Sequence, residues 1–190
     1  MRRLVALNGV DEIALAFDRA CRAAGVEYAF MGAFAVMAWG EPRATTDVGV
    51  LVAYDEERIP AFVTALRAES LSADFRDLID AQRDRGHVSV FREGSVFWLD
   101  LRLARTAVER GEIADAASVE VRGQALRVVR PEDTIAFKLS FGSPKDLQDA
   151  LSILVRQAGA LDESRLLALA HRLGVADALS ELRKRIPGQA

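Results

Sequence analysis

Tyr28-Ala-Phe-Met-Gly-Ala-Phe-Ala-Val-Met-Ala-Trp-Gly-Glu-Pro-Arg-Ala-Thr-Thr-Asp-Val-Gly-Val-Leu-Val52 is the most informative stretch of the chain. Val26 to Met31 reads as a short, mostly apolar strand, and Gly32 to Trp39 as a helix closed by Gly40. A loop shaped by Pro42 and Arg43 leads to a second strand, Asp47 to Val52, rich in β-branched residues. Side chains at i and i+2 of a strand point to one side, roughly 6.5–7 Å apart. Val48, Val50 and Val52 therefore take the packed face, and Asp47 and Gly49 take the other. Gly32 either lets a ligand phosphate approach the backbone, with free N–H groups on the helix behind it, or marks a tight strand-to-helix turn.

A chain of 190 residues fits one domain, or one domain with a small helical extension. Half of it is hydrophobic (51%), ample for a core of this size. The net charge of −3, from 25 basic and 28 acidic residues, leaves no electrostatic footprint for non-specific nucleic-acid or membrane binding. A single cysteine, Cys21, excludes an internal disulfide framework and suits a reducing cytoplasm. No apolar run approaches the roughly 20 residues that span a bilayer, and the N-terminus has no long apolar region of the signal-peptide kind. The expectation is a soluble cytoplasmic protein.

Outward from residues 28–52, Asp11 to Ala24 carries Ile13, Phe17, Cys21 and Ala24 on one helical face, with Gly25 placed to end the helix. Glu56 to Ala68 reads as an amphipathic helix with Ile59, Phe62, Val63 and Leu66 inward. Residues 74–86 are strongly charged and form a helix or a loop. Val88–Phe91 and Ser95–Leu103 make one hairpin, and Val119–Arg122 and Ala125–Val129 a second. From Pro131 onward the pattern is helical, over 131–141, 144–158, 162–173 and 175–186. A mixed sheet followed by a helical tail makes the class α+β, divided near residue 130.

At Gly32, Ala35, Arg43, Thr45 and Asp47 the chain resembles the nucleotidyltransferases of the DNA polymerase beta superfamily. Within it, the resemblance is to the small bacterial group that includes the abortive-infection toxin nucleotidyltransferases. That group carries Gly-Gly-x-Ala, then Arg-x-Thr-x-Asp-x-Asp; here Ala33 replaces the second Gly and Gly49 the second Asp. The third family acid lies on a neighbouring strand, a place that Asp100 fits within Phe97-Trp-Leu-Asp-Leu-Arg-Leu103. A second hallmark, Pro-Glu-Asp followed by Lys and then Pro-Lys-Asp-x-x-Asp, is matched by Pro131-Glu-Asp-Thr-Ile-Ala-Phe-Lys138 and Pro144-Lys-Asp-Leu-Gln-Asp149. The match spans roughly residues 10–155.

The resemblance implies a minimal nucleotidyltransferase fold: a core over 1–130, and a helical C-terminal part over 131–190 that closes the nucleotide cleft. It implies an NTP substrate, Mg²⁺ (or Mn²⁺) as cofactor, and transfer to a tRNA, protein or small-molecule acceptor, with a cognate antitoxin as a further partner. Nucleotidyl transfer needs a divalent cation on the triphosphate, and hard cations take carboxylate and phosphate oxygens. On this reading Asp47 and Asp100 are catalytic and hold metal, Gly32 and Ala33 cradle phosphate, and Arg43 and Lys138 neutralise it. Without a carboxylate at position 49, an alternative is a degenerate member that binds nucleotide or partner without turnover; Glu41 and Asp55 are candidate replacements.

Each residue also has a plainer role. Asp47 also has the plainer reading of a helix or turn cap, and Asp100 that of a solvated residue balanced by Arg102. Arg43 either clamps phosphate or pairs with Glu41 or Asp47 to hold its loop. Thr45 and Thr46 support the turn through side-chain to backbone bonds. Ser143 caps a helix over Asp146, and Lys145 with Asp149 forms an i, i+4 pair. His87 and His171 are too far apart in sequence, with one cysteine, for a zinc cluster. Cys21, Trp39 and Trp98 read as packing residues.

Overall fold

The computed structural model describes residues 9–83 and 86–186, together with the backbone of residues 2–4. In chain order the elements are β1 (Arg2–Leu4), α1 (Val10–Ala24), β2 (Glu27–Phe30), α2 (Gly32–Trp39), β3 (Asp47–Ala53), α3 (Ile59–Ala68), β4 (Leu71–Ser72), α4 (Phe75–Arg83) and β5 (His87–Arg92). They continue with β6 (Trp98–Leu103), α5 (Ala107–Ala114), β7 (Ala117–Val121), β8 (Gln124–Val128), α6 (Pro131–Phe141), α7 (Pro144–Arg156), α8 (Glu163–Arg172) and α9 (Ala176–Arg183). The strands form one mixed sheet in the order β1-β7-β8-β2-β3-β6-β5-β4. Its centre holds the antiparallel pair β2–β3 and the parallel pair β3–β6. The class is α+β, as the pattern of the chain implies.

Local chemistry accounts for most element ends. Gly25, at φ 64°, closes α1 in the left-handed conformation that a Cβ disfavours. Pro131 and Pro144 open α6 and α7, where a missing N–H costs nothing. A 3₁₀ turn at Glu56–Arg58 precedes α3, so the helix expected over 56–68 divides just ahead of Pro60 in the first α-turn. The charged segment after Asp74 is helical as far as Arg83; residues 84–85 lie outside the described residues. The β7–β8 hairpin turns at Arg122 and Gly123, both at positive φ (48° and 84°), one residue earlier than the sequence pattern indicates. That pair of angles is what a two-residue hairpin turn of the right twist demands.

Alternation places the core. Val48, Val50 and Val52 of β3 and Leu99, Leu101 and Leu103 of β6 turn to one face, where they join Phe17 of α1, Phe62 of α3 and the inner faces of α6, α7 and α8. The opposite face carries a smaller apolar group, Ala29, Leu51, Ala104, Ile113 and Val129, roofed by α5. Asp47, Gly49 and Asp100 belong to that second face. Among the described residues no helix is long and apolar enough to cross a membrane.

The α2–α7 junction is unusually close. A Cβ on Gly40 would stand 2.9 Å from Ile153 Cγ1 and 3.2 Å from the Ile153 backbone N, besides colliding with Ser152 Oγ. The Trp39 indole N–H donates to the Val129 carbonyl at 2.7 Å, pinning the end of α2 to the end of β8. Gly40→Ala is therefore expected to overpack this junction at a cost of about 1–3 kcal/mol, read as a fall in the urea midpoint at unchanged slope.

Candidate functional site

β3 and β6 run parallel with Asp47 beside Trp98 and Gly49 beside Asp100. Neighbouring strands lie about 4.8 Å apart and alternate residues about 6.6 Å along, so the Asp47 and Asp100 Cα atoms are roughly 8 Å apart on one sheet face. Their separation of 53 positions in sequence is thereby reduced to one diagonal step. Asp47 is exposed and Asp100 is 37% exposed, so both carboxylates are open to a ligand. Thr45 Oγ1 donates to Asp47 Oδ1 (2.9 Å), and its 3.1 Å approach to the Asp47 carbonyl gives the hydroxyl a second acceptor. Thr45 thus supports the turn, as its position implies, and also orients the carboxylate.

The Gly32 turn stands next to this row. The Met31 N–H donates to the Gly49 carbonyl at 2.9 Å, binding the end of β2 to the middle of β3. Gly32 follows at φ 61°, and a Cβ built there meets nothing within 4 Å. Among the described residues no side chain caps α2, so its first-turn N–H groups, those of Gly32 and Ala33 among them, lack a side-chain acceptor there. An uncapped helix start beside two carboxylates is an arrangement suited to a phosphate and a cation together.

The donor set fits one hard divalent cation. Mg²⁺ is commonly held by one or two protein carboxylates, with water and substrate phosphate completing the octahedron. Among the described residues there is no group of three or more His, Cys, Asp or Glu side chains able to hold a metal ion by themselves. Gly49 is the reason: it lies directly beside Asp100 and supplies no oxygen. The space at Gly49 is not closed, since an added Cβ would stand 3.4 Å from Met31 Cγ, an ordinary contact. Neither sequence candidate for a replacement takes that place: Glu41 is paired with Arg156 at 3.4 Å, and Asp55 begins the 3₁₀ turn after β3.

The two cations are organised differently from the sequence alternatives. Arg43 pairs with neither Glu41 nor Asp47; its Nε and Nη2 hold both oxygens of Asp149 at 2.9 and 3.1 Å. Lys138 Nζ reaches the same Asp149 carboxylate at 2.9 Å and Asp146 at 2.6 Å. Asp149 is thus taken by Arg43 and Lys138, in place of the i, i+4 pairing with Lys145. Ser143 caps α7 and donates to Asp146 at 2.6 Å. Burial pushes Asp146 up, but the hydrogen bonds from Lys138 and Ser143 outweigh it and leave the carboxyl below its ordinary value. A cavity of about 550 Å³ opens beside this network, lined in part by Arg43, Lys145, Asp149 and Arg156.

Asp100 is not balanced by Arg102. Its neighbour is His87 of β5, with Nδ1 3.8 Å from Oδ2. Arg102 points from the same face toward Glu109 of α5, at 3.9 Å, and its Nε is buried without a partner among the described residues. The sequence pattern gave no place to α5, although Thr106 and Glu109 form a reciprocal capping box that the Thr-x-x-Glu spacing encodes.

Glu112, one turn further along α5, is 5% exposed. Burial, reinforced by the nearby Asp133, pushes its carboxyl up to about 7 from an ordinary 4.5. An acid whose folded pKa lies above its unfolded value favours the native state when protonated. Stability should accordingly fall as pH rises from about 4.5 to 7 and level off above, and burial of Asp133 adds a slope of the same sign. Glu112→Gln is expected to remove most of that slope and to gain about 2 kcal/mol at pH 8, measured by urea unfolding at pH 5 and pH 8.

Similar folds occur among solved structures. The solution structure of the antibiotic-resistance factor ANT(2'')-Ia superposes with a TM-score of 0.59 at 14% identity, covering 94% of this chain and 98% of that one. The crystal structure of ANT(2'')-Ia in complex with adenylyl-2''-tobramycin gives 0.54 at 15% identity, over 85% and 97%. An antigenic nucleotidyltransferase-like protein from Paracoccidioides brasiliensis gives 0.53 at 19% identity, over 92% and 93%. This is a nucleotidyltransferase fold. No family model and no curated protein sequence matches the chain.

Proposed function

We propose that the chain binds a nucleoside triphosphate with Mg²⁺, or Mn²⁺ in its place, and transfers the nucleoside monophosphate to an acceptor. An acceptor oxygen forms a bond to the α-phosphorus, the bond to the bridging oxygen breaks, and pyrophosphate leaves. The observation that carries this reading is the β3–β6 register, which sets Asp47 and Asp100 on one face beside an uncapped helix start. The divalent cation, when bound, would neutralise charge on the triphosphate. Asp47, steadied by Thr45, and Asp100 would hold it. Amides at Gly32 and Ala33 would donate to phosphate oxygens. Arg43 and Lys138, held by Asp149, would set positive charge at the edge of the site, and residues 131–190 would close the cleft.

The acceptor is a tRNA, a protein or a small molecule; the adenylyl-2''-tobramycin complex of ANT(2'')-Ia offers a small-molecule precedent within the fold. A role as an abortive-infection-type toxin with a cognate antitoxin rests on the motif resemblance. Growth arrest on expression, relieved by the product of an adjacent gene, would support it, and growth without arrest would remove it.

Gly49 supports a second reading, in which the chain binds nucleotide or a protein partner without turnover. Incubation with radiolabelled NTPs, Mg²⁺ or Mn²⁺ and candidate acceptors separates the two. Label transfer by the native chain that vanishes in Asp47→Ala supports the enzyme. Transfer only after Gly49→Asp supports the degenerate binder. Absence of nucleotide binding in both forms ends the enzyme reading and the nucleotide-binding form of the second.

A further inference from the structure

Between α5 and α8 lies a cavity of about 380 Å³ whose lining includes Val108, Glu112, Asp133, Arg165, Leu169 and Arg172. Its charges are unevenly matched. Arg165 is saturated, giving Nη1 to Asp115 at 2.9 Å and Nε and Nη2 to the two oxygens of Asp133 at 3.0 and 3.1 Å. Glu112 is different: more than nine-tenths buried, it makes no hydrogen bond or ion pair with any described residue, and its Oε1 is fully enclosed. Arg172, exposed on the opposite wall, acts on Glu112 through charge alone and forms no ion pair among the described residues.

Buried polar groups in folded proteins are almost always partnered, because leaving one unpaired costs free energy. Rules of this kind are broken at sites that bind something. Glu112 takes no part in the proposed nucleotidyl chemistry, and it lies off the Asp47–Asp100 row, on the α5 surface turned toward α8.

We infer that this cavity binds a small zwitterion, an α-amino acid with an apolar side chain. Glu112 accepts from the ammonium group, Arg172 donates to the carboxylate, and Val108 and Leu169 receive the side chain. A simple amine satisfies Glu112 but leaves Arg172 idle. A carboxylic acid lacking the amine meets Arg172 but places a second acid near Glu112 and Asp133. Only the zwitterion answers both ends of the cavity.

Isothermal titration of the full chain with L-leucine tests this, alongside isopentylamine (leucine without its carboxylate) and 4-methylpentanoate (leucine without its ammonium). Saturable binding of leucine is expected, weakened at least about tenfold for each truncated analogue and in Glu112→Gln and Arg172→Met, the loss expected for one charged hydrogen bond. No saturable heat with leucine overturns the inference. So does equal binding by 4-methylpentanoate, or affinity unchanged in a folded Glu112→Gln chain. The analogue series on the native chain decides the matter even where a variant fails to fold.

Discussion

Asp47→Ala should lower the proposed nucleotidyl transfer by about 10³-fold, near 4 kcal/mol of transition-state stabilisation, while leaving the fold intact. The size follows from the vacancy at Gly49. A strand that offered two carboxylates would retain one after the substitution, whereas β3 would retain none and Asp100 alone would face the cation. The fold survives because Asp47 is exposed and its side-chain bond is local, to Thr45; exposed substitutions of this kind usually stay within about 0.5 kcal/mol. Initial rates under saturating NTP and Mn²⁺, with thermal unfolding in parallel, separate the two effects. Gly49→Asp supplies the opposite arm. Its Cβ would make only ordinary contact with Met31, so a folded variant with higher transfer or tighter Mn²⁺ binding is expected. Transfer that is indifferent to both substitutions would place the chemistry elsewhere.

The second large effect concerns Asp149, whose carboxylate is 5% exposed and holds Arg43 and Lys138 at once. Asp149→Ala leaves two partly enclosed cations without their shared partner. Breaking a buried pair from one side costs 3–5 kcal/mol, and the 22% exposure of Arg43 argues for the lower end, about 3 kcal/mol. For a chain of this size that is a fall in Tm of roughly 10 °C. Asp149→Asn keeps the shape and one acceptor, so its loss should be about half as large. Because Arg43 lies on the loop before β3 and Lys138 on α6, the alanine variant should also loosen that loop, read as faster amide exchange at residues 43–46. A loss under about 1 kcal/mol would mean that solvent screens the network, as it does on open surfaces.

Both effects depend on partners of unequal visibility in the sequence. The alternation Val48-x-Val50-x-Val52 against Leu99-x-Leu101-x-Leu103 assigns Asp47 and Asp100 to the outer faces of their strands, because a strand has only two faces and the apolar one is buried. The helix starts at Pro131 and Pro144 are legible for a similar reason, since a ring that removes an N–H is tolerated there and almost nowhere else in a helix. The Arg43 partner was not legible. Asp149 lies 106 positions away, and nothing in the Pro42-Arg43 loop distinguishes it from Glu41 or Asp47. β1 and β4, three and two residues long, carry too few side chains for an alternation to register. α5 carried a usable signal in Thr106 and Glu109, but only packing reveals that its Glu112 is buried beside α8 without a partner among the described residues.

What the sequence determined alone is local and periodic: the strand–turn–helix–strand of residues 26–52, the two hairpins, the helical run from Pro131, and the side of each strand on which its carboxylate stands. These follow from backbone geometry and from apolar burial, which act over a few residues. The tertiary structure alone decided the register that sets Asp100 beside Gly49, that Arg43 and Lys138 share Asp149, and that Glu112 has no hydrogen-bond or ion-pair partner among the described residues. Coulombic and hydrogen-bond pairing acts between whatever groups the packed elements bring within about 3 Å, and that proximity exists only once the β-sheet and the helices of residues 131–186 have closed on each other.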